Sequence, residues 1–259
     1  MSVIHLGGGV SWVHECFPET DAHIHVSVYL VEAPEGAILL DSGSFHHRRR
    51  LSDRIRDATA GRGVGAIILS HSDYPHSGNI PAFRRDWGDF EIVASCGDPD
   101  LQGLPYARRT KIGDVTDVLG RRFVVLDPPL ADRNHTTWVY DAASRTLFVA
   151  DGFGTLHAPG ACDIDWGRIP EDGRAEGVHE FHAQTLPWLR YADPERVMGA
   201  LRTMLERHPP AWIAPIHGPP IAEADVGRYM ADLDNALTRI TTGDAAWARP
   251  GATRPTEVR

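Results

Sequence analysis

The chain lacks most of the features that would announce a function at first sight. It has three cysteines, Cys16, Cys96 and Cys162, an odd count with no Cys-x-x-Cys spacing. They read as core or surface thiols in a reducing compartment. The N-terminus has no basic region followed by an apolar run, so no signal peptide is expected. No apolar stretch approaches the length of a membrane span. An excess of positive charge is lacking too: a net charge of −9 argues against a general binder of nucleic acid or of anionic membranes. Together these absences lead to the expectation of a cytoplasmic protein. What is present suffices for a core: 259 residues, 42% of them hydrophobic, are enough for one two-sheet α/β domain. No repeat of solenoid period is visible.

The first half is rich in strands. His25 to Ala33 is apolar and β-branched, breaks at Pro34-Glu35-Gly36 and continues from Ala37 to Leu40, which predicts a hairpin ending in Asp41-Ser42-Gly43. Leu51, Ile55 and Ala58 recur at helical spacing, with Arg48-Arg49-Arg50 on the solvated face. Gly65-Ala66-Ile67-Ile68-Leu69 then reads as a short buried strand, giving a parallel βαβ unit. Ile80 to Trp87 predicts a short helix, Phe90 to Ala94 a strand, and 98–114 a loop.

In the second half, Phe123 to Leu126 is a strand, and Trp138 to Tyr140 pairs with Leu147 to Ala150 as a hairpin. Residues 155–177 read as irregular, long enough to be a functional lid or substrate loop. Asp193-Pro194 opens a helix with Asp as N-cap and Pro in first position. Trp212 to Ile216 is a strand ending at His217-Gly218-Pro219-Pro220. Val226, Tyr229, Met230, Leu233, Leu237 and Ile240 trace a last amphipathic helix. Residues 1–242 are expected to form a single domain and 243–259 a flexible tail.

Metal-capable side chains recur where these strands end: His71, Asp73 and His76 after one, Asp132 and His135 after another, then Asp151 and His217. Strands lying side by side bring such ends to one edge, and a cluster of histidine and carboxylate there is a candidate metal site. Four separate strand ends finishing in this way are hard to ascribe to accident.

The sequence resembles the metallo-β-lactamase fold superfamily, and within it the diiron core of flavodiiron proteins. That core's first motif, His-x-Glu-x-Asp-His-Ser-Gly, is similar to His71-Ser72-Asp73-Tyr74-Pro75-His76-Ser77-Gly78. Leu147-Phe148-Val149-Ala150-Asp151-Gly152-Phe153-Gly154 resembles its bridging-aspartate segment. Ile213-Ala214-Pro215-Ile216-His217-Gly218-Pro219 resembles its last-ligand segment, and Asp41-Ser42-Gly43 an early motif whose aspartate supports the ligands. The resemblance covers roughly residues 25–240. It implies an αββα sandwich, two mixed sheets flanked by helices, and a dinuclear metal centre. One site would use His71, Asp73, Asp132 or His135, and Asp151; the other His76, Asp151 and His217, with Asp151 bridging. It also implies a homodimer.

The departures are informative. Pro75 stands where the family has a second-site aspartate, and Asp73 is one methylene shorter than glutamate. The order Asp132 then His135 inverts the family's order; spacing to Asp151 favours Asp132 as ligand, whereas chemistry favours His135. The donor set lacks thiolate, and two histidines with one carboxylate suit non-haem iron. Iron is the expected metal, with zinc or manganese as alternatives.

Three functions follow from the resemblance. The first is a non-haem diiron oxidoreductase acting on dioxygen, peroxide or nitric oxide. The second is a dizinc hydrolase of an ester, lactone or thioester; the missing carboxylate at Pro75 counts against it. The third is a non-catalytic oxygen- or metal-binding protein. No flavodoxin-like segment is seen, so a reductase would draw electrons from a separate donor, and an oxygenase from an organic co-substrate. Other histidines read as ordinary: His23 and His25 as facing solvent or the site's rim, His46 and His47 as a solvated helix start, and His157, His179 and His182 as surface residues. Trp138 and Trp188 read as core or pocket wall.

Overall fold

The computed structural model describes residues 3–18, 22–95, 104 and 106–243. Two mixed sheets lie face to face between helices. The first has seven strands in chain order: β1 (Ile4–Gly7), β2 (Val10–Pro18), β3 (His23–Ala33), β4 (Gly36–Leu40), β5 (Ala66–Leu69), β6 (Glu91–Ser95) and β7 (Arg108–Thr110). β1 to β4 pair antiparallel, and β4 to β7 parallel. The second sheet holds β8 (Val115–Val118), β9 (Arg121–Leu126), β10 (Trp138–Asp141), β11 (Thr146–Phe148), β12 (Trp212–Ala214) and β13 (Ile221–Ala222), in the order β13-β12-β11-β10-β9-β8. Only β11 and β12 in it run parallel.

Helices α1 (Arg48–Ala58), α2 (Tyr74–Ser77) and α3 (Ile80–Trp87) connect strands of the first sheet; α4 (Glu171–Thr185), α5 (Pro194–Arg207) and α6 (Val226–Thr242) accompany the second. Each helix layer covers its sheet through its own core. Leu51 and Ile55 of α1 and Phe83 of α3 pack on Val13, Val28 and Ile67, while Leu201, Leu233 and Leu237 pack beneath Trp138, Leu147 and Ile213. A third cluster, with Trp12, Tyr29, Ile38, Phe123 and Phe148, fills the space between the sheets. Fully burying one such side chain contributes about 1.5–3 kcal/mol. The αββα sandwich expected from the sequence is the observed fold.

Several local expectations match their cause. Asp193 caps α5, accepting from the amides of Glu195 and Arg196, with Pro194 in the first turn. The stripe from Tyr229 to Ile240 is the buried face of α6. Others need correction. The strands β1 and β2 went unseen, because their residues mix with His, Glu and Gly. Part of the expected 98–114 loop is β7; residues 96–103 and 105 lie outside the described residues, as do 244–259 of the expected tail. The expected irregular stretch 155–177 contains a short 3-10 turn at Trp166–Arg168 and the first turns of α4. That helix shows no clean apolar stripe because it buries Arg174, His179 and His182 along with Val178 and Phe181. Among the described residues, no helix is long and apolar enough to cross a membrane.

Candidate metal centre

Two parallel strand pairs, β4/β5 and β11/β12, deliver the site. Asp41 directly follows β4, His71 lies just past β5, Asp151 just past β11 and His217 just past β12. Two of these ends are held in uncommon backbone: Asp41 has φ +58° and Ala150, immediately before Asp151, has φ +47°. Left-handed backbone at non-glycine residues is costly and concentrates at functional sites. The glycines around Asp151 are required by space. A Cβ on Gly152 would meet Trp138 Cζ2 at 2.3 Å, and one on Gly154 would meet Phe181 Cε1 at 2.1 Å. The turn after Asp151 is therefore pressed against two buried rings.

Three histidines share one arrangement: the Nδ1 side is held from behind and Nε2 faces the centre. His76 Nδ1 donates to Asp41 Oδ2 at 2.9 Å, His71 Nδ1 lies 3.2 Å from Ser70 Oγ, and His217 Nδ1 donates to the His25 carbonyl at 2.8 Å. Asp41 is itself fixed by the Ser70 amide and hydroxyl, both at 2.8 Å. In front, His76 Nε2 stands 2.9 Å and His217 Nε2 3.5 Å from Asp151 Oδ1, and His71 Nε2 lies 3.5 Å from Asp132 Oδ2. Carbonyl or carboxylate partners behind a ligating imidazole are what fix its tautomer.

The donor atoms fall into two overlapping sets, His71/His76/Asp151 and His71/Asp73/Asp132, each within 4.8 Å. The Nε2 atoms of His71 and His76 and Oδ1 of Asp151 are buried, and their close approaches are to other donor atoms of the same cluster. Buried lone pairs that converge without donors fit a cation. Asp132 Oδ2 reaches His71, and its Oδ1 accepts from Thr136 at 2.7 Å. His135 stands farther off, its ring centroid 6.3 Å from that of His71 and its Nδ1 beside Asn134 Oδ1. Asp73, on the open side, is gripped by Arg133 Nε and Nη2 at 2.9 and 2.6 Å. Nothing in the spacing of Arg133 marked it as a partner of Asp73.

Charge is distributed unevenly. Burial opposes ionisation of Asp151, yet His76 and His217 beside it hold its carboxyl well below the usual range. Burial likewise opposes a charged His76, but Asp151 and Asp41 outweigh it and carry that imidazole up to about 10. Burial, reinforced by His76, pushes His71 down to about 3. Burial and the Asp151 charge raise Asp132. Without a metal, a proton on His76 thus neutralises part of the carboxylate charge.

The structure brings His71, Asp73, His76, Asp132, Asp151 and His217 to one edge, with Asp41 behind them. The histidines read as ordinary are another matter. His25 is fully buried in β3, and His157, His179 and His182 are buried rather than on the surface. Trp138 is core, and Trp188 is partly buried against the same cluster.

Residues 23–172 match the profile described as the Metallo-beta-lactamase superfamily. The chain belongs to that superfamily. Among curated proteins, a hydroxyacylglutathione hydrolase from Synechococcus sp. is 27% identical over 150 residues, covering 51% of this chain and 59% of that protein. Among solved structures, rubredoxin oxygen:oxidoreductase from Desulfovibrio gigas aligns with a TM-score of 0.75 at 15% identity, over 92% of this chain and 62% of that one. The flavodiiron protein from Giardia intestinalis aligns with a TM-score of 0.73 at 15% identity, over 94% of this chain and 60% of that one. This chain therefore spans about three fifths of the length of each. At such identities the structural matches speak for the fold, which is the one expected from the sequence.

Proposed function

We propose that this chain is a dinuclear non-haem iron oxidoreductase of the metallo-β-lactamase superfamily, acting on dioxygen, peroxide or nitric oxide. The observation that carries the reading is the oxygen-rich, thiolate-free donor set, in which Asp151 Oδ1 faces both His76 and His217 while Asp73 and Asp132 flank His71. Two histidines and a carboxylate with open positions suit ferrous iron. The fold's likeness to rubredoxin oxygen:oxidoreductase supports the same reading.

One position would use His71, Asp73 and Asp132, the other His76 and His217, with Asp151 between them. An iron pair held there would supply the redox chemistry for a small oxidant. The chain's own contribution is orientation. Asp41, Ser70 and the His25 carbonyl fix the three imidazoles, and Trp138 and Phe181 hold the Asp151 turn in place. Arg133 on Asp73 places a cationic group at the open rim, where an anionic co-substrate would approach. Electrons would come from a separate donor or from that co-substrate. A homodimer with residues 155–177 near the partner completes the reading.

The second reading, a dizinc thioester or ester hydrolase, draws on the curated relatives' names. Metal analysis of anaerobically purified protein, with oxygen-uptake and thioester-hydrolysis assays, separates the two. Two irons per chain and reductant-dependent oxygen consumption are expected. Two zincs with thioester hydrolysis and no oxygen uptake would replace the first reading by the second.

A further inference from the structure

A second group of metal-capable side chains lies apart from the His/carboxylate set: Cys16, His23, His157 and Cys162, all four donor atoms within 4.8 Å of one another. Three segments build it. In the β2/β3 ladder Cys16 faces His25 and Pro18 faces His23, so Cys16, His23 and His25 share one face of the sheet. His157 then joins β3 edge-on, with His23 and His157 exchanging both amide bonds at 2.7 and 3.0 Å. A tight turn follows, closed by the Ala161 amide on the Ala158 carbonyl, with Gly160 at φ +96°. It returns Cys162 to the same place.

The spacings match a tetrahedron. An ion bonded to sulfur at about 2.3 Å and to nitrogen at about 2.0 Å sets its sulfur and nitrogen ligands roughly 3.5 Å apart. Cys16 Sγ is 3.5 Å from His157 Nε2, and Cys162 Sγ is 3.2 Å from His23 Nδ1. His157 and Cys162 are buried, and the His25 ring stacks on His157 at 4.1 Å, holding it in place.

We propose that Cys16, His23, His157 and Cys162 bind a zinc ion as a closed Cys2His2 site that ties the β2–β3 hairpin to the 155–165 loop. Two thiolates and two imidazoles are a donor set for zinc, and four protein ligands mark a structural site. On binding, the two thiols give up their protons to solvent, and the two thiolate charges balance the ion. The site supports the other centre from behind. The His25 carbonyl that fixes His217 lies two residues from His23, and the Thr155 amide, two residues before His157, donates to the His217 carbonyl at 2.9 Å.

Cobalt loading of the whole, metal-depleted protein tests this, because among the described residues only this site offers thiolates, which a thiolate-to-cobalt charge-transfer band reports. The wild type and Asp151→Ala should both show the band with tetrahedral visible absorption. Cys16→Ser and, independently, His23→Gln should weaken or abolish it, and Cys16→Ser should lower zinc by one per chain in protein purified with zinc. Both substitutions fall at half-buried positions, and circular dichroism checks that each variant is folded. No band in the wild type overturns the proposal. So does unchanged zinc content in folded Cys16→Ser, or a Cys16–Cys162 disulfide in protein purified under reducing conditions. None of these readouts depends on which metal occupies the His/carboxylate centre.

Discussion

The His/carboxylate centre and the Cys2His2 cluster use the same building method to opposite ends. Each joins groups from the first sheet to groups carried by the second sheet or the loop that follows it, and each buries imidazoles whose positions are fixed by neighbours. The first is oxygen-rich and has an open side, where Asp73 is only partly buried and Arg133 is half exposed. The second contains sulfur and is complete with four protein ligands. Open positions suit chemistry and closed ones suit anchoring. Donor softness is what the two proposed metals rest on.

The largest effect expected on this contrast comes from Asp151→Ala. It removes the one oxygen that faces both His76 and His217, so bound metal at the His/carboxylate centre should fall to background in elemental analysis. The cobalt–thiolate band should survive. Loss of both signals in a folded variant would mean that the two centres are a single unit and break the contrast.

Asp41→Asn should act more mildly. The amide keeps the shape but loses the charge that supports His76, and partners of this kind typically carry 10–100-fold in metal affinity. Competition against a graded chelator measures it. An unchanged affinity would show that Ser70 alone orients the pair.

The smallest effect is a proton count. His76 sits at about 10 in the metal-free fold, above its ordinary 6.5. Its proton therefore stabilises the metal-free fold fully below pH 6.5, and that contribution fades as pH rises through about 10. Metal loading at pH 8 should then expel about one proton from this imidazole, and almost none well above pH 10. His71, held at about 3, contributes none. A pH-stat titration of the Cys16→Ser variant isolates this release from that of the thiols.

How much of this could be read beforehand depended on locality. The ends of β5, β11 and β12 were legible because an apolar run stops abruptly at a polar residue, and Asp41 through the resemblance of Asp41-Ser42-Gly43 to the superfamily's early aspartate motif. Asp132 and His135 stayed open in the sequence because both lie in one irregular stretch, and only the path of the chain into β10 decides which approaches His71. The Cys2His2 group was illegible for a stronger reason. Cys16 and Cys162 are 146 positions apart, and the histidines beside them look like ordinary polar residues until the bridge between His23 of β3 and His157 brings them together. The first turns of α4 read as irregular because its buried face mixes Arg174 and histidines with apolar residues.

The Arg133 fork on Asp73 has a kinetic consequence. Asp73 is not an idle carboxylate: a resident cation already holds Oδ2 through two short bonds. Putting a metal ion on that oxygen is an exchange of one cation for another, so the opening of the ion pair enters the rate law. The pair is largely exposed and salt weakens it. Raising ionic strength should therefore quicken insertion of the ion on this side by loosening the pair, leaving the buried His76–Asp151–His217 side comparatively insensitive.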